Sequence, residues 1–381
     1  METSDMELSE EHRMIRASAA RFASDRVAPC AADLDANEAF FDDLYREMAQ
    51  RGLLGIGIDQ RYGGAGADPL AYALVMEELA RGYSSVADQC GLVELVATLL
   101  ELHGSPEQQK QYLVPLLRGE RKCAFALTES EAGSDVASLK TRATRTAGGW
   151  RLNGSKIWIH NGPICDFAVV LARTADGKTG SSMSTFIVDR SLGGFSSGAK
   201  EHKMGQRASQ LSTLFFDDVV LPAVALLGGE GVGFPNIMRC LDKGRVGIGA
   251  LSVGICQAAL DACIGQAKVR RQFGRAIGEF QAIQWKLADM AKDIYAARLM
   301  VHDAARKLGR GERATTECSM AKCFASDAAV AHTAQAVQVF GGSGFIRGML
   351  VERLYRDAKI TQIYEGTNEI QRLIIARGLL Q

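Results

Sequence analysis

Three stretches of the chain combine residue types capable of chemistry with a spacing that would aim them at a ligand. In Phe125-Ala126-Leu127-Thr128-Glu129-Ser130-Glu131-Ala132-Gly133-Ser134-Asp135, a β-type run opens into a polar loop. Gly133 permits close backbone approach there, and the hydroxyls of Thr128 and Ser134 can bond a ligand. A surface loop after an edge strand would have the same features. In Lys156-Ile157-Trp158-Ile159-His160-Asn161-Gly162, strand alternation puts Trp158 and His160 on one face, opposite Ile157 and Ile159. An aromatic face beside a polar donor suits a flat heteroaromatic ligand, although a strand tryptophan is also ordinary core. In Gln362-Ile363-Tyr364-Glu365-Gly366-Thr367-Asn368-Glu369-Ile370-Gln371, Thr367 is placed to cap the last helix. Glu365 then stands at a helix entrance, where chain direction can turn a carboxylate into a cleft. An exposed glutamate favoured by the helix dipole is the competing reading, and it suits Glu369.

Elements of three kinds must position these stretches. Residues 7 to about 120 read as helical: Leu8, Ile15, Ala19 and Phe22 step by seven, four and three along one face. Gly52 follows a helix at Phe41 to Arg51, and Ser105-Pro106-Glu107-Gln108 is a helix start with a capping box. From Lys122 the character changes to short β segments, at Ala124 to Leu127, Gly149 to Ile159, Phe167 to Ala172, Ser184 to Val188 and Thr213 to Val220. Asn153-Gly154 is expected to form a hairpin turn. Helix returns near Phe234. Phe280, Ile283, Leu287, Met290, Ile294, Ala297 and Val301 make a bundle seam, and an Ala-rich helix over Arg313 to Phe340 ends at Gly341-Gly342. The expected fold is therefore α+β: a helical domain at 1–120, a small sandwich- or barrel-like β domain at 121–228, and a four-helix bundle at 229–381.

Composition bounds the function. The 381 residues carry 44 Lys+Arg against 44 Asp+Glu, which removes the general electrostatic reason to expect a nucleic-acid partner. The N-terminus lacks the basic start and apolar run of a signal peptide. The longest stretches free of charge, Ala328 to Ile346 and Val246 to Leu260, are broken by polar residues and read as buried helices, not membrane spans. Nine scattered cysteines without a C-x-x-C pair suit a reducing, cytoplasmic setting, and six isolated histidines give no metal-ligand spacing. Forty glycines against seven prolines leave open why a compact chain has so many residues without side chains.

Taken together, the stretches resemble the acyl-CoA dehydrogenase family, flavoproteins that desaturate acyl thioesters. The resemblance runs through the whole chain. It rests on Thr-Glu-x-x-Ala-Gly-Ser-Asp at 128–135 and Lys-x-Trp-Ile-x-Asn-Gly at 156–162. It continues in Met204-Gly205-Gln206-Arg207, Asp242-Lys243-Gly244-Arg245, Arg270-Arg271-Gln272-Phe273-Gly274, Gln338-Val339-Phe340-Gly341-Gly342 and Ile363-Tyr364-Glu365-Gly366-Thr367.

The resemblance implies FAD bound between the β domain and the bundle. Phe125, Leu127, Thr128, Gly133, Ser134 and Trp158 would contact its flavin end. Arg270, Phe273, Gln281, Gln338, Gly341 and Gly342 would hold the diphosphate and adenosine of a partner subunit's FAD, in a homotetramer built as a dimer of dimers. Thr367 and Glu369 would lie near the cofactor. The implied reaction is α,β-dehydrogenation of an acyl-CoA, with Glu365 as base and electron-transfer flavoprotein as acceptor. Ser134, Asp242, Arg245, Tyr364 and Gly366 would line the substrate channel. Some relatives carry the base on the earlier helix, at a position that is Gly244 here. Alternatives are the same desaturation on a carrier-protein thioester, an oxidase variant delivering electrons to oxygen, and a non-catalytic scaffold.

Three departures from the family pattern stand out. His160 occupies the usual Thr or Ser position and is expected to keep a flavin contact. Ser130 replaces a proline, which should loosen its loop. Glu94, in the apolar run Leu92-Val93-Glu94-Leu95-Val96-Ala97, either reads a polar acyl group or makes a structural ion pair.

Overall fold

The computed structural model describes residues 8–177 and 180–380. Its N-terminal part is helical: α1 (Glu10–Phe22), α2 (Ala31–Asn37), α3 (Asp42–Gln50), α4 (Pro69–Gly82), α5 (Ser84–His103), α6 (Pro106–Gln108) and α7 (Val114–Leu117). The strands follow as β1 (Cys123–Ala126), β2 (Arg142–Thr146), β3 (Gly149–His160), β4 (Phe167–Arg173), β5 (Met183–Asp189), β6 (Phe195–Ser197), β7 (Leu211–Pro222) and β8 (Leu226–Leu227). Then come α8 (Gly233–Val269), a ribbon of β9 (Arg271–Gln272) and β10 (Arg275–Ala276), α9 (Gln281–Gly309), α10 (Thr315–Phe340), α11 (Leu350–Ala358) and α12 (Asn368–Leu379). The order is helical, β, helical, as the sequence implies.

The elements form where local chemistry favours them. Ser105 accepts from the Gln108 N–H while the Gln108 side chain accepts from the Ser105 N–H, closing the capping box at α6. The bundle seam is apolar and inward: Met290, Ile294, Ala297 and Val301 are buried, and Phe280, Ile283 and Leu287 pack on the same core. Two helices, α4 and α5, are buried on nearly every side, which lets them serve as walls for a site.

The strands make one sheet in the order β6-β7-β3-β2-β4-β5-β8, with β1 added parallel to β4. Trp150 of β3 and Phe186 of β5 meet edge to face at 5.3 Å between ring centroids. Three strand spacings in a flat sheet would separate them by about 14 Å. The sheet therefore curls around a core of its own, made by Trp150, Leu152, Phe186, Leu214 and Phe216. The opposite face of β4 and β5 joins the helical core through Val169, Leu171 and Ile187.

Two expectations fail inside β3. Asn153-Gly154 is no hairpin turn; β3 runs straight through it, and the β2–β3 turn comes earlier, between Thr146 and Gly149. The glycine is needed because the ladder to β7 shifts between Leu152 and Gly154, bringing the Gly154 backbone so close to Thr141 that a Cβ would lie 2.7 Å from its Cα. A second shift, between Lys156 and Ile159, surrounds Trp158, whose φ is +54°. Strict alternation is lost there, so Trp158 is 63% exposed while His160 turns inward.

The cysteines are all free thiols, eight of them buried. No cluster of three or more His, Cys, Asp or Glu suited to a metal occurs among the described residues. Helix α8 is long and apolar enough to cross a membrane, and 78% of its most apolar window is buried inside the fold.

Candidate active site

Left-handed backbone is costly for any residue with a Cβ, by about 1–3 kcal/mol. Seven non-glycine residues among those described adopt it, and five fall in the motifs singled out above: Trp158, Asn161, Gln206, Phe273 and Glu365. The strain is thus concentrated where ligand contacts are expected.

Glu365 has φ +52° and Gly366 φ +93°, a sharp entrance to α12, which Thr367 caps by accepting from the Ile370 N–H. Two side chains hold this turn. Lys322 of α10 donates to the Gly366 carbonyl at 2.9 Å and to Asn368 Oδ1 at 2.8 Å. Gln371 donates to the Gly366 and Glu365 carbonyls at 2.9 and 3.2 Å. With its carbonyl tied down, the Glu365 carboxylate lies against α8 at Gly244, where a Cβ would sit 2.1 Å from Oε2. No other residue type would leave room for it.

Glu365 Oε2 is buried and has no hydrogen-bond partner. Burial pushes the carboxyl up to about 7, the nearby Asp88 carboxylate adds to the rise, and the Arg245 and Lys322 cations oppose it. Burial in turn brings Lys322 down to about 8 against the pull of Glu365. Arg245 is buried and held by Asp242 at 2.6 Å, and Asp242 also accepts from Thr315 at 2.7 Å. Tyr364 accepts from Gln206 Nε2 at 3.4 Å. The backbone N–H of Glu365 makes no hydrogen bond within the described residues.

Asp88, on α5, joins this region to β3. Its Oδ2 lies 3.2 Å from His160 Nδ1 and accepts from Ser209 at 3.1 Å. Burial holds His160 below its ordinary pKa, Asp88 partly offsetting and Lys203 reinforcing the effect. The imidazole is therefore neutral near pH 7. Nδ1 faces the Asp88 carboxylate, and the buried Nε2 is unpartnered.

The 128–135 loop is firmly held without the proline. Glu129 and Ala132 exchange backbone bonds at 3.1 Å. The Glu129 carboxylate accepts from the N–H groups of Lys140 and Thr141 and from buried Lys156 Nζ. Lys156 also donates to the Leu127 carbonyl, and Ile157 N–H to the Thr128 carbonyl, which ties the loop to β3 beside Trp158. The looser loop expected from Ser130 is not what forms. Phe125 and Thr128 are half-buried, Leu127 is buried, and Gly133 and Ser134 face solvent.

The remaining cofactor positions gather elsewhere, at one end of the bundle. Antiparallel α9 and α10 are registered by Lys286 bonding Gln335 and by His332 bonding Asp293. This brings Gln281 at the start of α9 beside Gln338, Gly341 and Gly342 at the end of α10. Arg270, capping the end of α8, and Phe273, in the β9–β10 turn and 94% exposed, shortly precede Gln281 in the chain. A Cβ at Gly133, Gly341 or Gly342 would meet nothing within 4 Å. Glu369 stands exposed in the first turn of α12. The two places suit opposite ends of an extended ligand: an exposed Trp158 and an orphaned His160 ring nitrogen on β3 for an aromatic end, and open glycines, Arg270 and exposed Phe273 at the bundle end for a charged one.

Two acids on α5 were distinguishable only by packing. Glu94 is saturated: it accepts from the Ile56 and Gly57 N–H groups at 2.8 and 2.9 Å and pairs with Lys243 at 2.5 Å. The structural ion pair is the correct reading of it. Asp88 was overlooked, although it too is a charge in an apolar helix. Lys322, lone in the Ala-rich α10, carried the same signal.

The chain matches the models of the acyl-CoA dehydrogenase N-terminal domain over residues 9–120, the middle domain over 124–219 and the C-terminal domain over 231–380. It is 44% identical over 376 residues to an acyl-CoA dehydrogenase of Bacillus subtilis, covering 98% of this chain and 99% of that one. Butyryl-CoA dehydrogenase from Megasphaera elsdenii superposes with a TM-score of 0.95 at 40% identity, covering 99% of this chain and 100% of the other. A chain solved in work on the electron transferring flavoprotein of Acidaminococcus fermentans gives 0.96 at 41% identity, with coverage of 99% and 100%.

Proposed function

The chain belongs to the acyl-CoA dehydrogenase family, an FAD-dependent oxidoreductase, and from that premise we propose that it converts an acyl-CoA to the trans-2-enoyl-CoA with Glu365 as the base. The observation that carries this reading is the Glu365 carboxylate: buried, unpartnered at Oε2, and raised to about 7, where a base operates best near neutral pH.

When bound, FAD would supply the redox chemistry, as acceptor of the β-hydrogen as hydride. Everything else falls to the chain. Glu365 removes the α-proton, and its own free N–H is available to polarise the thioester carbonyl, making the α-proton more acidic. Arg245, locked by Asp242, places positive charge beside the carboxylate and favours its ionised form. Lys322 and Gln371 fix the turn, so the base is held before substrate arrives. Phe125, Leu127, Thr128, Ser134, Trp158 and His160 would hold the flavin end of one FAD, and Arg270, Phe273, Gln281, Gln338, Gly341 and Gly342 the diphosphate and adenosine end of another.

The exposed Phe273 at the bundle end supports the assignment of that second group to a partner subunit's FAD, in a homotetramer; the proposed setting is the cytoplasm. The likeness to the Acidaminococcus chain supports electron-transfer flavoprotein as acceptor. Anaerobic mixing of the holoenzyme with acyl-CoAs should bleach the flavin absorbance. Glu365→Gln should keep FAD and lose bleaching. Wild-type rates in that variant would remove Glu365 from the mechanism. Carrier-bound thioesters, and then admission of oxygen, separate the related reactions.

A further inference from the structure

Helix α8 presents two glycines one turn apart, Gly244 and Gly247, and each leaves space for a polar group from another element. At Gly244 the occupant is the Glu365 carboxylate. At Gly247 it is the phenol of Tyr72, from α4: a Cβ there would lie 2.2 Å from the Tyr72 hydroxyl oxygen and 2.8 Å from Cζ. From the other side α5 also yields to it, with the Gly91 Cβ position 3.4 Å from the same oxygen. Tyr72 is 1% exposed, yet no hydrogen bond among the described residues uses its hydroxyl. A buried tyrosine normally finds a partner for that group.

Two unpartnered polar ends thus project between α5 and α8, and three residues of α8 separate them, about 4.5 Å of rise. Burial raises the Tyr72 phenol above its ordinary range, and the nearby Cys90, Glu94 and Glu365 add to the rise. Lys243 closes the same corner, its ammonium 5.8 Å from the Tyr72 ring centroid and fixed by Glu94. Tyr72 is therefore backed by a saturated ion pair and has no room to retreat.

We propose that Tyr72 is the specificity-determining residue that ends the acyl pocket, restricting the enzyme to short acyl groups. An acyl chain whose α-carbon stands at Glu365 meets the Tyr72 hydroxyl about one helical turn on. A carbon chain advances roughly 1.3 Å per bond of about 1.5 Å, so about three further carbons fit. That gives acyl groups of about four or five carbons. Gly91 and Gly247 matter because they admit the ring; larger residues at either would push it out.

This inference rests on the dehydrogenase reading, and the experiment separates the two. Holoenzyme is reacted with butyryl-, hexanoyl- and octanoyl-CoA, and kcat/KM is measured for wild type, Tyr72→Phe and Tyr72→Ala. Wild type should favour butyryl- over octanoyl-CoA by at least 100-fold. Tyr72→Ala should cut that ratio at least 20-fold by gaining octanoyl-CoA turnover, and Tyr72→Phe, which loses only the oxygen, should fall between. Binding gives a second readout: in a Glu365→Gln background, adding Tyr72→Ala should tighten octanoyl-CoA at least tenfold and leave butyryl-CoA within threefold. If Tyr72→Ala does not fold, Tyr72→Phe decides by whether its ratio moves. Bleaching with every acyl-CoA at an unchanged ratio overturns the role of Tyr72 alone. Absence of bleaching with any acyl-CoA overturns the dehydrogenase reading, and this one with it.

Discussion

His160 Nδ1 lies 3.2 Å from Asp88 Oδ2, and the same carboxylate bears on Glu365. One acid therefore serves two residues on opposite elements. It faces the imidazole on β3, partly offsetting the effect of burial there, and destabilises the charge of the carboxylate at the α12 entrance.

Replacing Asp88 by Asn removes the like charge that helps raise Glu365. Glu365 should then ionise at lower pH. The acid limb of the kcat/KM profile moves toward acid, and activity at pH 6 rises relative to pH 8. A limb that stays in place, or moves toward alkali, counts against the coupling.

Glu365 also affects stability through its raised pKa. Between the ordinary carboxylate range and about 7, the folded protein binds a proton that the unfolded chain has released. That contribution is complete at low pH and lost as pH rises through about 7. Glu365→Gln should match wild type near pH 4 and exceed it by up to roughly 3 kcal/mol at pH 8 and above. Urea unfolding followed across that range measures the difference.

Gly244→Ala puts a methyl group where Glu365 Oε2 now lies, at 2.1 Å. Displacing the base by about 1 Å should reduce kcat on the order of 100-fold. FAD content, measured by absorbance of the purified protein, should not change, because neither end of the assigned cofactor site touches Gly244.

Glu94→Ala strands Lys243 and frees two buried N–H groups at Ile56 and Gly57. Breaking a buried pair by removing one partner costs about 3–5 kcal/mol. The variant should lose stability of that order in denaturant titration. Glu94→Gln, which keeps an acceptor for the N–H groups, should lose less.

The helical segments were legible because amphipathic spacing and capping residues act locally, as at Ser105 and along Met290 to Val301. The motif residues were legible by type and order. The break in β3 was not, because Asn153-Gly154 has ideal turn chemistry and only Thr141, packed against Gly154, makes it a bulge instead. Trp158 and His160 parted company for a related reason: alternation holds only while the ladder keeps register. At the site, Glu365 was visible, but its supports were not. Nothing local links Lys322 to Gly366, or Tyr72 to Gly247; those pairs exist only once α4, α8, α10 and α12 have packed.

The turn that carries Glu365 depends on Asn368 and Gln371 of α12, in the last stretch of the chain, while Tyr72 and Asp88 belong to helices made early. During synthesis at about 5–20 residues per second, N-terminal parts fold first. The proposed pocket wall is therefore available well before the proposed base. A polypeptide released before α12 is made has its pocket-forming helices but lacks the side chains that lock the base. On the proposed reading, a product interrupted before α12 would carry the glutamate without the α12 side chains that hold its turn, and should be inert.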